Sequence, residues 1–172
     1  MRSSIRMHRL CLAAILAALG CGATFLHIPY PLGYLNLGDC IVLLSGLLLP
    51  PGWAMAAAGI GAALADLFLG YALYAPATLL IKAGMALVMA LLCRKLRRLR
   101  SLLGGIVAES WMVLGYFLYE LLLYRAAPAA QSALSVNLPQ AGVNLAAAAA
   151  LFLLLQNSKL LHKMRRGIHY EP

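Results

Sequence analysis

Acidic side chains are scarce in these 172 residues: there are five, against fourteen lysines and arginines, and charged residues of both signs make up only 11%. A soluble domain of this length carries about 25%. Most of the surface must therefore be apolar, and a bilayer solvates such a surface where water does not. The devices of several enzyme classes are absent too. There is no G-x-x-x-x-G-K-[ST] to cradle nucleotide phosphates, no H-E-x-x-H to hold zinc, and no G-x-S-x-G nucleophile turn. His8, His27, His162 and His169 all lie at or beyond the ends of apolar runs. Cys11, Cys21, Cys40 and Cys93 are scattered in apolar context, with neither metal-ligand spacing nor the setting of a disulfide scaffold. The expectation is a protein with no catalytic residue, no metal and no cofactor of its own.

What is present is hydrophobicity, at 63% of residues and a mean hydropathy of +0.86. Six apolar spans can be drawn, at about 10–28, 36–50, 52–72, 75–93, 101–124 and 134–156. They predict an all-α, polytopic integral membrane protein, a bundle of six transmembrane helices in a single domain over 1–172. The second span is short for a hydrocarbon layer of about 30 Å. The first imitates a signal peptide, but the spans that follow favour a retained helix. "LLPPGW" (48–53) reads as a tight turn, and "HIPYPLGYLNLGD" (27–39) as a loop rich in Pro and Tyr, long enough to fold over something.

The basic residues set the orientation. Arg2, Arg6 and Arg9 precede the first span; Arg94, Lys95, Arg97, Arg98 and Arg100 follow the fourth; Lys159, Lys163, Arg165 and Arg166 follow the last. Only Lys82 and Arg125 fall elsewhere. The positive-inside rule then places both termini in the cytoplasm. The formal charge of +9 does not point to nucleic acid, because no basic face interleaved with aromatics exists to read bases.

Charged groups within the hydrocarbon cost about 2.5–3.5 kcal/mol each on insertion scales, so each needs a reason. The chain has Asp39, Asp66, Lys82, Glu109 and Glu120. At about 1.5 Å per helical residue, all but Glu109 converge on the outer half. The stretch "DLFLGYALYAPATLLIK" (66–82) breaks at Gly70–Pro76 and folds Asp66 and Lys82 back to one depth. They either pair with one another or line a pocket. Asp39, just past Asn36 and Gly38, reads as a helix cap.

Helical spacing groups the remaining polar residues. Tyr74, Thr78, Lys82, Met85 and Met89 share a face; so do Glu109, Met112, Tyr116 and Glu120; so do Asn137, Gln140 or Ala141, and Asn144. Aromatic and apolar walls with a few placed polar groups make a small-molecule pocket. The candidate binding residues are thus Tyr74, Thr78, Lys82, Tyr116, Glu120, Gln140 and Asn144, with Asp39 and Asp66 as structural or pairing groups. For Gln140 and Asn144 the alternative is hydrogen bonding between helices. Ala14, Ala18 and Gly22 repeat every four residues, which allows close approach of another helix, inside this chain or in a partner.

The run "YLNLGDCIVLLSGLLLPPGWAMAAAGIGAALADLFLGYALYAPATLLIKAGMAL" (34–87) resembles the N-L-G-D, D-L-x-x-G-Y and Y-A-P-x-T-L-x-I-K motifs of energy-coupling-factor (ECF) transporter S components. The similarity is to the branch containing hydroxymethylpyrimidine and pyridoxine carriers. "VNLPQAGVN" (136–144) looks like a diverged form of the last-helix Pro/Asn motif. The resemblance implies a substrate-binding subunit in the cytoplasmic membrane of a prokaryote that takes a hydroxymethylpyrimidine-, pyridoxine- or thiamine-like vitamin. It implies docking through Ala14 and Ala18 onto a membrane-embedded coupling subunit, with two cytoplasmic ATPase subunits driving uptake. The alternative is a non-transporting scaffold subunit of a cell-shape (rod) complex, similar in size and span number.

Overall fold

The computed structural model describes residues 2–30, 33–93, 98–124 and 126–156. The chain runs α1 (Arg2–Phe25), a hairpin of β1 (His27–Tyr30) and β2 (Gly33–Asn36), α2 (Gly38–Leu48), α3 (Pro51–Phe68), α4 (Ala75–Leu92) and α5 (Arg98–Leu123). It ends with α6 (Ala126–Ser132), a π-helical turn (Ala133–Asn137) and α7 (Leu138–Gln156). Five helical stretches among the described residues are long and apolar enough to cross a membrane, counting 126–154 as one. The 11 residues of α2 reach about 16 Å, short of the hydrocarbon thickness.

Turn chemistry explains the breaks. Pro51 opens α3, where its missing N–H is no loss. At the other end Gly70 has φ 84, and the Tyr71 and Gly70 amides donate to the carbonyls of Asp66 (2.7 Å) and Leu67 (3.3 Å). That is a Schellman closure, which needs a left-handed residue and so takes glycine. Five residues after Gly70 the chain re-enters a helix at Ala75, with Pro76 in its first turn.

Two expectations require correction. The stretch 27–36 is not an irregular loop but an antiparallel hairpin, with His27 opposite Asn36 and Tyr30 opposite Gly33. A two-stranded ribbon has only edges, so Pro29 is tolerated within it. The fold is therefore mostly helical rather than all-α. The last span also begins earlier than 134, because α6 continues into α7. Pro128 sits in its first turn, where proline costs little. The π turn falls directly before Pro139, whose ring and missing N–H interrupt the regular ladder.

α3 packs along both α1 and α4. Its glycines permit this: a Cβ on Gly61 would come within 2.5 Å of the Ala17 carbonyl, and one on Gly59 within 2.8 Å of the Leu79 carbonyl. On α1, Ala13, Leu16 and Gly20 turn inward while Ala14, Ala18 and Gly22 stay exposed. The basic clusters at 94–97 and 159–166 lie outside the described residues.

Candidate ligand-binding site

The end of the bundle that carries the hairpin encloses a cavity of about 500 Å³, walled by all the long helices and the β2–α2 junction. Its geometry begins with Asn36, the last residue of β2. The Asn36 side-chain oxygen accepts from the Gly38 amide (3.0 Å), turning the chain into α2. A Cβ on Gly38 would collide with the Thr24 hydroxyl. The tight turn aims Asp39 inward, where it is 1% exposed.

Asp39 then joins three helices. Its Oδ1 accepts from Lys82 Nζ of α4 at 2.5 Å, and its Oδ2 accepts from Gln140 Nε2 of α7 at 2.9 Å. Gln140 Oε1 accepts from Asn36 Nδ2 (3.2 Å). Behind this clasp lies Asn144, wholly buried. Its Oδ1 accepts from the Cys40 amide (2.8 Å), and its Nδ2 donates to the carbonyls of Asn36 (2.8 Å) and Gln140 (3.0 Å). A buried ion pair tolerates the membrane interior only when its remaining hydrogen-bonding capacity is met in this way.

The opposite wall comes from α4 and α5. Thr78 Oγ1 and the Tyr116 hydroxyl share a hydrogen bond of 2.9 Å, and Lys82 Nζ stands 5.1 Å from the Tyr116 ring centre, a cation–π distance. Glu120, one turn beyond Tyr116, accepts from Ser132 Oγ (3.0 Å) and more weakly from the Tyr74 hydroxyl (3.5 Å). Tyr74 packs edge-on against Tyr119, with ring centres 5.5 Å apart. Tyr119 is itself fixed by a 2.5 Å bond to the Leu73 carbonyl. Burial, with Tyr124 and Glu120 beside it, pushes the Tyr74 hydroxyl up and keeps it a neutral donor. Asp66 reaches the cavity from the end of α3 beside Thr78. No group of three or more His, Cys, Asp or Glu among the described residues could hold a metal.

A membrane bundle with a largely apolar cavity carrying a few polar groups at one end is the setting in which the comparison with known families is informative. The family model for the "ECF-type riboflavin transporter, S component" matches residues 4–161. This chain belongs to that family. A Pyrococcus woesei protein described as "Uncharacterized protein in gap 3'region" is 37% identical over 98 residues. That alignment covers 56% of this chain and 66% of the relative's own length. The family and the apolar helices together make the chain a multi-pass membrane protein. Nothing in either supports the rod-complex scaffold.

In this S-component family member, six of the seven candidate binding residues line the cavity: Tyr74, Thr78, Lys82, Tyr116, Glu120 and Gln140. Asn144 does not; it sits one layer behind and holds the backbone. The pairing of Asp66 with Lys82 is corrected, because the cation meets Asp39 and no ion pair to Asp66 forms among the described residues. Sequence proximity across the α3–α4 turn suggested the first, whereas the packing of α2 on α4 decides the second. Asp39 is likewise not a cap: Leu37 occupies that position, without a side-chain cap. Asn36, Ser132 and Asn137 line the cavity as well. Asn137 had a signal in its spacing with Gln140, but Ser132 had none, since the α6 segment looked like loop. Glu109, 3% exposed, lies outside the cavity, and neither of its carboxylate oxygens has a hydrogen-bond partner. It is within electrostatic reach of Asp39 and Lys82.

Proposed function

We propose that this chain is the substrate-binding subunit of an ECF transporter in a prokaryotic cytoplasmic membrane. It takes up a small water-soluble vitamin or precursor of the hydroxymethylpyrimidine, pyridoxine or thiamine kind. The observation that carries this reading is the 500 Å³ cavity, apolar and aromatic in its walls with a few placed polar groups, as small-molecule sites are. The family's description makes riboflavin the competing ligand. The chain crosses six times with both termini cytoplasmic, so the cavity opens outward under the 27–36 hairpin. It hydrolyses no ATP itself; a membrane-embedded coupling subunit and two ATPase subunits supply that step.

The test is a melting screen of the purified protein against water-soluble vitamins. A ligand at a hundred times its Kd stabilises by about 2.7 kcal/mol, from RT ln(1 + [L]/Kd). One vitamin should raise the melting temperature and the others should not. A flat screen rejects the carrier reading.

Ala14 and Ala18 form the docking face for the coupling subunit. Support comes from their exposure, while neighbouring Ala13 and Leu16 are buried in the bundle. Ala14→Leu and Ala18→Leu should each cut vitamin uptake by cells at least tenfold and leave binding to the isolated subunit unchanged. Normal uptake in both variants would move the docking face elsewhere.

A further inference from the structure

Counting charge around the cavity gives a constraint on its ligand. Three carboxylates line it, on Asp39, Asp66 and Glu120, and the one described cation among the lining residues is Lys82. Lys82 is committed to Asp39 at 2.5 Å and shares that carboxylate only with Gln140. Asp66 and Glu120 form no ion pair among the described residues. Each also keeps one carboxylate oxygen, Oδ2 and Oε2 respectively, without any hydrogen-bond partner. Glu120 is only 7% exposed, so bulk water solvates it poorly, and Asp66 is half-buried. Lys82 is within electrostatic reach of Asp66 but is paired with Asp39, so neither Asp66 nor Glu120 has an ion-pair partner of its own among the described residues. Such carboxylates in a membrane-embedded cavity are costly, and a group of opposite charge removes the cost.

The surroundings indicate what shape that group has. Tyr71, Tyr74 and Tyr116 give the cavity aromatic walls, which accept both a flat ring and a cation over their faces. Asn137, 8% exposed, lines the same space with its Nδ2 unpartnered. It can donate to one acceptor on the ligand. Glu120 lies one turn beyond Tyr116, whose hydroxyl meets Thr78 beside Asp66. The two carboxylates thus flank one Thr–Tyr bridge.

We propose that the ligand is a compound of net positive charge, a small heteroaromatic ring bearing a quaternary nitrogen or an ammonium arm, held by Asp66 and Glu120. The proposal rests on the carrier reading above and narrows it. A neutral flavin leaves both carboxylates uncompensated, and an anionic vitamin adds a third negative charge.

The experiment is a titration of the full-length protein in lipid nanodiscs with five probes. Pyridoxamine and pyridoxine differ only by an ammonium in place of a hydroxyl. Thiamine is a permanent cation, riboflavin is neutral, and pantothenate is an anion. Thiamine or pyridoxamine should bind at least tenfold tighter than every uncharged or anionic probe. Asp66→Asn and Glu120→Gln should each weaken that binding at least tenfold. Tightest binding by riboflavin, pyridoxine or pantothenate overturns the cationic ligand while leaving a vitamin carrier. Binding by none of the five overturns the cationic ligand, and a flat melting screen besides overturns the carrier reading as well. A cation preference that survives both substitutions overturns the assignment to these carboxylates. Should either variant fail to fold, the ranking on the unaltered protein decides by itself.

Discussion

Lys82→Met is expected to destabilise the protein by about 3–5 kcal/mol, the cost of breaking a buried ion pair from one side. The loss should appear in the ligand-free melting temperature. It leaves the Asp39 carboxylate, 1% exposed, with Gln140 as its remaining side-chain partner. Asp39→Asn in the same chain should restore much of the loss, because an amide needs no counterion and keeps its hydrogen-bonding capacity. Asp66→Asn in the Lys82→Met background should restore little. This comparison separates the two possible partners of Lys82 directly. Rescue through position 66 and not through 39 would show that the ion pair lies across the α3–α4 turn after all.

The second large effect is expected from Asn144→Ala. Asn144 offers one acceptor to the Cys40 amide and two donor contacts to the carbonyls of Asn36 and Gln140. Removing it leaves the Cys40 amide and the Asn36 carbonyl without that partner, and each buried group left unpaired costs about 1–3 kcal/mol. The melting temperature should fall markedly. Well below that transition, the ligand affinity of the folded protein should change little, because Asn144 does not line the cavity. Lost affinity with unchanged melting would instead make it a ligand contact.

These two residues show why the site was only partly legible. Tyr74, Thr78 and Lys82 share one helical face by spacing alone, as do Tyr116 and Glu120. A polar stripe on a membrane helix must turn inward, so its arrival at a common cavity follows from periodicity and the cost of exposing charge to lipid. Spacing carries no depth within the protein, however. Asn144 falls on the same stripe as Gln140, one turn on, and that turn separates the cavity wall from the layer behind it.

The sequence by itself determined that the chain lives in a membrane, where α3 and α4 break and which helix faces are polar. Composition and turn chemistry are local properties, and Gly70, Pro51 and Pro76 act through bonds within a few residues. The tertiary structure alone decided the partners. Asp39 and Lys82 are 43 residues apart, and Asn36 and Gln140 are 104 apart. They meet because the hairpin ends in a tight turn at Gly38 and because α2 packs on both α4 and α7. The chain 27–36 became a ribbon for the same reason: strand pairing is a contact between two segments, which neither segment encodes alone. Charge pairing inside a bundle is decided by which helix faces which, and only the packed structure contains that information.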